Sequence, residues 1–273
     1  MKLSVAFCSD MRCGYYDRVA AGMQSALQRE GEAELFTWKG ETILPHAALP
    51  YLQVAGLVCA GIKAEVLTGL MDKTPVLGCS HAWESVPWPR VVNDDFAGGR
   101  LAAETLLQQG FTSLAVLMQV DQWHFQQRLA GVQAAALRAD CACVLYQKEL
   151  EKPNPGERFT EVMQRFTAEQ AAFLRSLPPG CGVVAITPRD GTQLLQFFEE
   201  EKEAGRKSGI GGILCDIPDA ADRGLAHVQF DAEKVGAVCA ETLLAMIRQQ
   251  GQPEHLTLIP PCGVREGSSL RRG

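Results

Sequence analysis

No apolar run in the 273-residue sequence approaches the roughly 20 residues that span a bilayer as a helix. No membrane partner is therefore expected. The first residues, MKLSVAFC, carry one lysine and a short β-like run. They are too short for a signal peptide and lack a fitting small-residue cleavage site, so a cytoplasmic location is expected. No long Lys/Arg cluster interrupts a chain of formal net charge −6, which argues against the chain gripping a polyanion by itself. No C-x-x-C motif occurs. The ten cysteines are dispersed, mostly through apolar strand-like segments. They read as reduced, buried thiols rather than zinc ligands or disulfides. Cys141 and Cys143 alternate with Ala142, which would put both thiols on one face of a strand. G-x-G-x-x-G is missing after the first strand, where CSDMRCGYYD stands, and no G-x-x-x-x-G-K-[ST] occurs. Neither a cofactor nor a metal is expected.

What the sequence does have is alternation. With 47% hydrophobic and 21% charged residues it can bury the core of one or two globular domains. LSVAFC (3–8), AELFTW (33–38), GLVCAG (56–61) and PVLGCS (75–80) read as strands. YYDRVAAGMQSALQREG (15–31) has apolar residues at helical spacing and a glycine stop. A second series begins with LAVLM (114–118). It continues through a helix at 125–139, strand 143–147, a helix near 157–177, strand 182–187, a helix at 190–204 and strand 211–216. AHVQFDAEKVGAVCAETLLAMIRQQG (226–251) is a strand followed by an amphipathic helix, and LTLIPP follows as a further strand. Strands alternating with helices predict parallel sheets covered on both faces. More than ten strands and a restart near residue 93 predict two such domains. A ligand is expected beyond the carboxyl ends of the strands, in a cleft between them. KELEKPNPGER (148–158) reads as a loop close to strand ends, and no internal repeat is evident.

Three features suggest chemistry. LGCSHAW (77–83) approaches the G-x-S-x-G nucleophile elbow, with Ser80 after a strand. An elbow runs straight into a helix, whereas WESVPWPR follows, with two prolines. An α/β hydrolase using Ser80 is the weakest of three functional readings. Asp94 and Asp95 could hold Mg²⁺, but no further ligands converge by motif. As neighbours at a helix start they read as caps, accepting from first-turn N–H groups and complementing the helix dipole. Tyr15, Tyr16, Trp83, Trp88, Trp123 and Phe125 all read as following strands, on the ligand side of such a fold. Aromatic faces there suit sugar rings, while arginine and carboxylates suit hydroxyls.

VVNDDFAGGRLAAETLLQQGFTSLAVL (91–117) resembles the central segment of lactose-repressor-type sensor domains. RLAGVQAAA (128–136) resembles their R-x-x-G-F helix. LAHVQFDAEKVGAVCAETLLAMI (225–247) resembles a later segment of theirs, and LIPPCGVREGSS (258–269) resembles the closing strand of xylose-responsive regulators of the AraC type. YYDRVAAGMQSALQREG is similar to that subgroup's first helix. The ordered set covers nearly the whole chain. It implies a periplasmic-binding-protein-like type I fold, with α/β lobes 1–92 plus 229–257 and 93–228 plus 258–273. Three crossings are implied, near Val92–Asp94, Val228–Phe230 and Leu258–Pro260, with Asn93, Asp94 and Gln229 as hinge residues. The late helix at 231–250 would belong to the first lobe.

By the same resemblance the chain is a sugar-responsive sensor and not an enzyme. Arg128 matches the helix-start arginine that binds sugar hydroxyls, and Asp216 matches the carboxylate of the family's G-x-D turn. Trp83, Trp123, Phe125, Tyr15, Tyr16, Ser80 and Thr187 complete the implied ligand-binding set. Pro188 departs from the family's Asn-Asp or Tyr-Asp and removes a ligand contact. The final R-x-S-T motif is altered to Gly267-Ser268-Ser269, with Arg265 displaced. A homodimer is implied, with DNA reached only through a module outside this chain. An exported or stand-alone solute-binding protein is the second reading.

Overall fold

Strand β1 (Leu3–Ser9) is buried from Val5 onward on both faces, which fits an apolar run in the middle of a parallel sheet. The structure, a computed structural model, describes residues 2–9, 14–39, 51, 53–80, 86–118, 122–147, 167–216, 224–250 and 253–270. Helix α1 (Gly14–Glu30) buries Val19, Met23, Ala26 and Leu27 at helical spacing. Gly31 ends it in the left-handed region, with φ 72°, and donates its N–H back to Leu27. Then come β2 (Ala33–Lys39), β3 (Gly56–Ala60), α2 (Ala64–Met71), β4 (Val76–Gly78) and β5 (Arg90–Asn93). Helix α3 (Asp95–Gln108) leads into β6 (Ser113–Met118), α4 (Trp123–Arg138), β7 (Cys143–Gln147), α5 (Ala168–Ser176) and β8 (Cys181–Ala185). The chain continues through α6 (Pro188–Glu203), β9 (Gly211–Leu214), β10 (Ala226–Gln229), α7 (Ala232–Ile247), β11 (Leu256–Ile259) and β12 (Gly263–Arg265).

The strands form two six-stranded sheets, ordered β11-β5-β4-β3-β1-β2 and β12-β10-β9-β8-β6-β7. The chain divides into two compact units, Met1–Asp94 with Asp231–Ile259 and Asp95–Phe230 with Pro260–Gly273. This is the periplasmic-binding-protein-like type I architecture. Each division falls two residues beyond the expected lobe boundary, because pairing holds the crossing residues. Ile259 pairs with Asn93 in the first sheet, and the Asp94 N–H donates to the Ile259 carbonyl. In the second sheet the Gln229 carbonyl accepts from the Cys262 N–H.

Several expectations change. Parallel pairing fails at one place: β12 runs antiparallel to β10. The chain re-enters this unit beside the end of β10 where it left, so β12 must run back. Strand 182–187 stops at Ala185 because Thr187 is already the cap of α6. Helix α2 and strand β5 are elements where the sequence reading had none and a crossing. The expected loop 148–158 lies outside the described residues. So does the first part of the helix expected near 157–177, through 166; its described part holds α5. Cys141 precedes β7 rather than sharing its strand.

The absence of a sequence repeat conceals a structural one. The two sheets share one strand order, with β1 matching β6, β3 matching β8 and β5 matching β10. Each unit also holds one close helix crossing. In the first, Gly22 of α1 meets the Glu233 carbonyl and Gly236 of α7 meets the Val19 carbonyl. In the second, Gly131 of α4 meets the Phe96 carbonyl and Gly99 of α3 meets the Arg128 carbonyl. A Cβ at any of the four would collide with backbone, which cannot yield as a side chain can. Val19 and Arg128 are therefore equivalent positions. So are Ala232 and Asp95, each one residue before the carbonyl that the opposing glycine meets.

Candidate functional site

Arg128 sits on the second turn of α4, on the face that α3 packs against, and is 5% exposed. Its Nε donates to Oδ1 of Asp95 at 2.8 Å. Its Nη1 donates to Oδ2 of Asp216 at 2.6 Å and to the Ile186 carbonyl at 2.8 Å. The rings of Phe125 and Phe230 lie 5.3 and 5.2 Å from its Cζ, close enough for cation–π attraction. Gly98 makes room for Phe230, whose ring a side chain there would strike. Local sequence explains the placement. Asp95 opens α3, while Ile186 follows β8 and Asp216 follows β9, so one helix start and two segments at the carboxyl edge of the second sheet converge on one guanidinium.

Burial works against the charge on Arg128, but the carboxylates of Asp216 and Asp95 outweigh it and raise its pKa. The side chain stays a cation. Three of its five N–H groups are used. The two on Nη2 find no acceptor among the described residues.

Asp190, on the first turn of α6, is 0% exposed. Its Oδ2 accepts from the N–H and hydroxyl of Thr187 at 3.0 and 2.7 Å. The Asp190 N–H donates back to the Thr187 hydroxyl at 3.2 Å, closing a reciprocal capping box. Its Oδ1 is buried and takes no hydrogen bond among the described residues. Burial pushes the Asp190 carboxyl up to about 7, and the negative charge of Asp216 pushes the same way. Hydrogen bonds from Thr187 and the charge of Arg189 oppose the rise. Next to Asp216 in the chain, the Cys215 thiol is pushed up to about 12, by burial first, so it remains a thiol.

Of the residues singled out by sequence, Arg128, Asp216, Phe125 and Thr187 come together here, with Trp123 half-buried at the start of α4. Thr187 spends its hydroxyl on the cap. Tyr15 and Tyr16 lie in the other unit, on the first turn of α1, largely buried and edge-on to each other at 5.2 Å. Ser80 is half-buried after β4, and Trp83 lies outside the described residues. Asn93 ends β5 and Asp94 follows it, and Gln229 is exposed at the end of β10. One expectation needs correcting. Trp88 does not follow a strand on the ligand side: it precedes β5, buried in the core of the first unit. Asp95, in the first turn of α3 as expected, is also an ion-pair partner of Arg128, because its position on α3 faces α4. Phe230 and the Ile186 carbonyl were not anticipated, since no local motif marks a residue whose role depends on another element; Asp190 was also missed, although Thr187 and Asp190 have the spacing of a capping box.

Among the described residues no cluster of His, Cys, Asp or Glu could hold a metal ion, and no helix is long and apolar enough to cross a membrane. Residues 103–270 match the periplasmic binding protein-like domain family. No curated protein matches the sequence. Solved structures share the fold at low identity. A LacI family transcriptional regulator from Enterococcus faecalis V583 with bound ribose superposes with a TM-score of 0.70 at 19% identity, covering 99% of each chain. GanP, a glucose-galactose binding protein from Geobacillus stearothermophilus, gives 0.73 at 15%, covering 97% of this chain and 98% of its own. The Cra transcriptional dual regulator from Pseudomonas putida, in complex with fructose 1-phosphate, gives 0.71 at 15%, covering 97% and 99%.

Proposed function

As the chain belongs to the periplasmic binding protein-like family, we propose that it is the effector-sensing domain of a sugar-responsive transcription regulator. The observation that carries this is the contrast between equivalent positions. Val19 and Ala232 fill the helix crossing of the first unit with apolar side chains, while Arg128 and Asp95 fill that of the second with charge. The frame itself does not need the charge. Buried ion pairs replaced by apolar residues often leave a protein as stable or more so, so the pair is retained for recognition.

In this reading the two N–H groups on Nη2 donate to sugar hydroxyls, and Asp216 accepts from one. Phe125 and Trp123 offer aromatic faces to the C–H side of the ring. Asp95 and the Ile186 carbonyl hold the guanidinium in place before the ligand arrives, so its ordering cost is already met. Bound sugar biases the conformation, and a DNA-binding module outside this chain, of the AraC type by sequence resemblance, reads the change. The bound ribose and fructose 1-phosphate of two structural neighbours are consistent with a small carbohydrate effector.

Thermal shift against pentoses and hexoses tests the reading. A sugar at 100 times its Kd should add about 2.7 kcal/mol of stability. If no sugar shifts the melting temperature, or if Arg128→Ala leaves a shift unchanged, the reading fails.

A further inference from the structure

We propose that this site is built for an uncharged, hydroxyl-bearing ligand and against phosphorylated or carboxylated ones, and that Asp190 is a specificity-determining residue. The proposal rests on the sugar-sensing reading and narrows its ligand class.

The first support is the charge inventory of the described residues at the carboxyl edge of the second sheet. Asp95 and Asp216 already share one guanidinium, leaving that group with an excess of one negative charge. Asp190 is a third carboxyl within the electrostatic reach of Asp216. Arg189 acts on Asp190 from the positive side, which offsets this excess only in part while the Asp190 carboxylate is ionised. An arriving phosphate would bring further negative charge into a buried region, where like-charge juxtaposition costs several-fold more than in water.

The second support is the state of the helix N-termini. An anion is ordinarily held by the free N–H groups of a first helical turn. At α6 the capping box has taken that place. The Asp190 N–H is spent on Thr187, and the Asp190 carboxylate is itself the anion at the helix start. At α3 the first-turn anion is Asp95. Both termini carry an internal carboxylate, so the positive ends of their dipoles are already answered.

The third is the unpartnered oxygen. Oδ1 of Asp190 is fully buried and takes no hydrogen bond among the described residues, a costly arrangement in a protein interior. A hydroxyl donor or a proton relieves it; a phosphate or carboxylate oxygen can only add repulsion. The capping role alone uses Oδ2 and leaves Oδ1 unexplained.

Isothermal titration of the intact chain with matched pairs tests this: ribose and ribose 5-phosphate, fructose and fructose 1-phosphate, glucose and glucose 6-phosphate. For the sugar that binds, the uncharged form should bind at least about tenfold tighter than its phosphate ester, the scale that one unfavourable charge contact commands. Asp190→Asn keeps an acceptor for Thr187 and removes the charge. It should narrow that ratio by about threefold or more while changing affinity for the uncharged sugar less. Asp190→Ser gives the same readout should the Asn variant not fold, and the wild-type ratio decides if neither does. A phosphate ester that binds as tightly as its parent sugar, or a ratio indifferent to Asp190 in a folded variant, overturns the inference and leaves the sugar-sensing reading standing. Absence of binding by both members of every pair overturns that reading and this inference with it.

Discussion

The first unit closes its helix crossing with Val19 and Ala232, and the second closes the equivalent crossing with Arg128 and Asp95. Strand order, glycine contacts and helix pairing are otherwise alike. The comparison separates what the fold requires from what it has been given. It requires four glycines, so that two helix pairs approach backbone to backbone. It does not require a guanidinium between two phenyl rings and two carboxylates. A buried cation with matched partners is an expensive way to fill space, and a molecule that fills the same space elsewhere with valine shows that a cheaper way is available.

The comparison breaks hardest at Arg128. Removing the cation leaves Asp95 and Asp216 buried without it, so Arg128→Ala should lose about 3–5 kcal/mol of stability. Val19→Ala should lose about 2 kcal/mol, the transfer cost of two methyl groups plus a small cavity. Urea unfolding of both variants measures the difference, and equal losses would contradict the distinction drawn between the crossings. Next in size are the glycines. Gly22→Ala and Gly99→Ala should each cost about 3 kcal/mol, at the upper end of overpacking, because the obstacle is backbone. A much smaller cost in either unit would mean that the crossings are not equivalent.

A combined replacement sharpens the point. Arg128→Met with Asp95→Ala and Asp216→Ala removes the whole ionic group. Stability should be unchanged or should rise by about 1–4 kcal/mol, while any thermal shift with sugar disappears. If unfolding shows a large loss instead, the ion group belongs to the frame. A further effect concerns pH. The Asp190 carboxyl is raised from 3.8 to about 7 on folding. Stability from holding its proton is fully present below the unfolded value near 4 and is lost as pH rises through about 7. Asp190→Asn should therefore flatten the fall in stability between about pH 4 and 7.

Much of the architecture was legible in the chain. Apolar runs such as LSVAFC, helical spacing in YYDRVAAGMQSALQREG and the restart near residue 93 are local signals, and each reports the element that contains it. Arg128 and Asp216 were legible through their resemblance to a known pattern. Strand β5 was not, because four residues between a proline and an aspartate pair give periodicity nothing to act on. The short helix α2 escaped for the same reason. The antiparallel β12 was hidden because pairing direction follows from where the chain re-enters the sheet. Asp95 was read only as a cap, and its pairing with Arg128 was hidden because that depends on which helix faces α3.

By itself the sequence determined the two α/β series and, among the described residues, the mostly buried cysteines and the lack of any helix able to cross a membrane. These depend on composition and spacing, which are properties of neighbours in the chain. Only the tertiary structure decided that Asp95 pairs with Arg128, that Asp190 keeps a buried carboxyl oxygen to spare, and that Val19 stands where Arg128 stands. Those facts depend on which helix faces which, and the strand order of a sheet settles that across separations of 33 and 88 residues, beyond the reach of any local pattern.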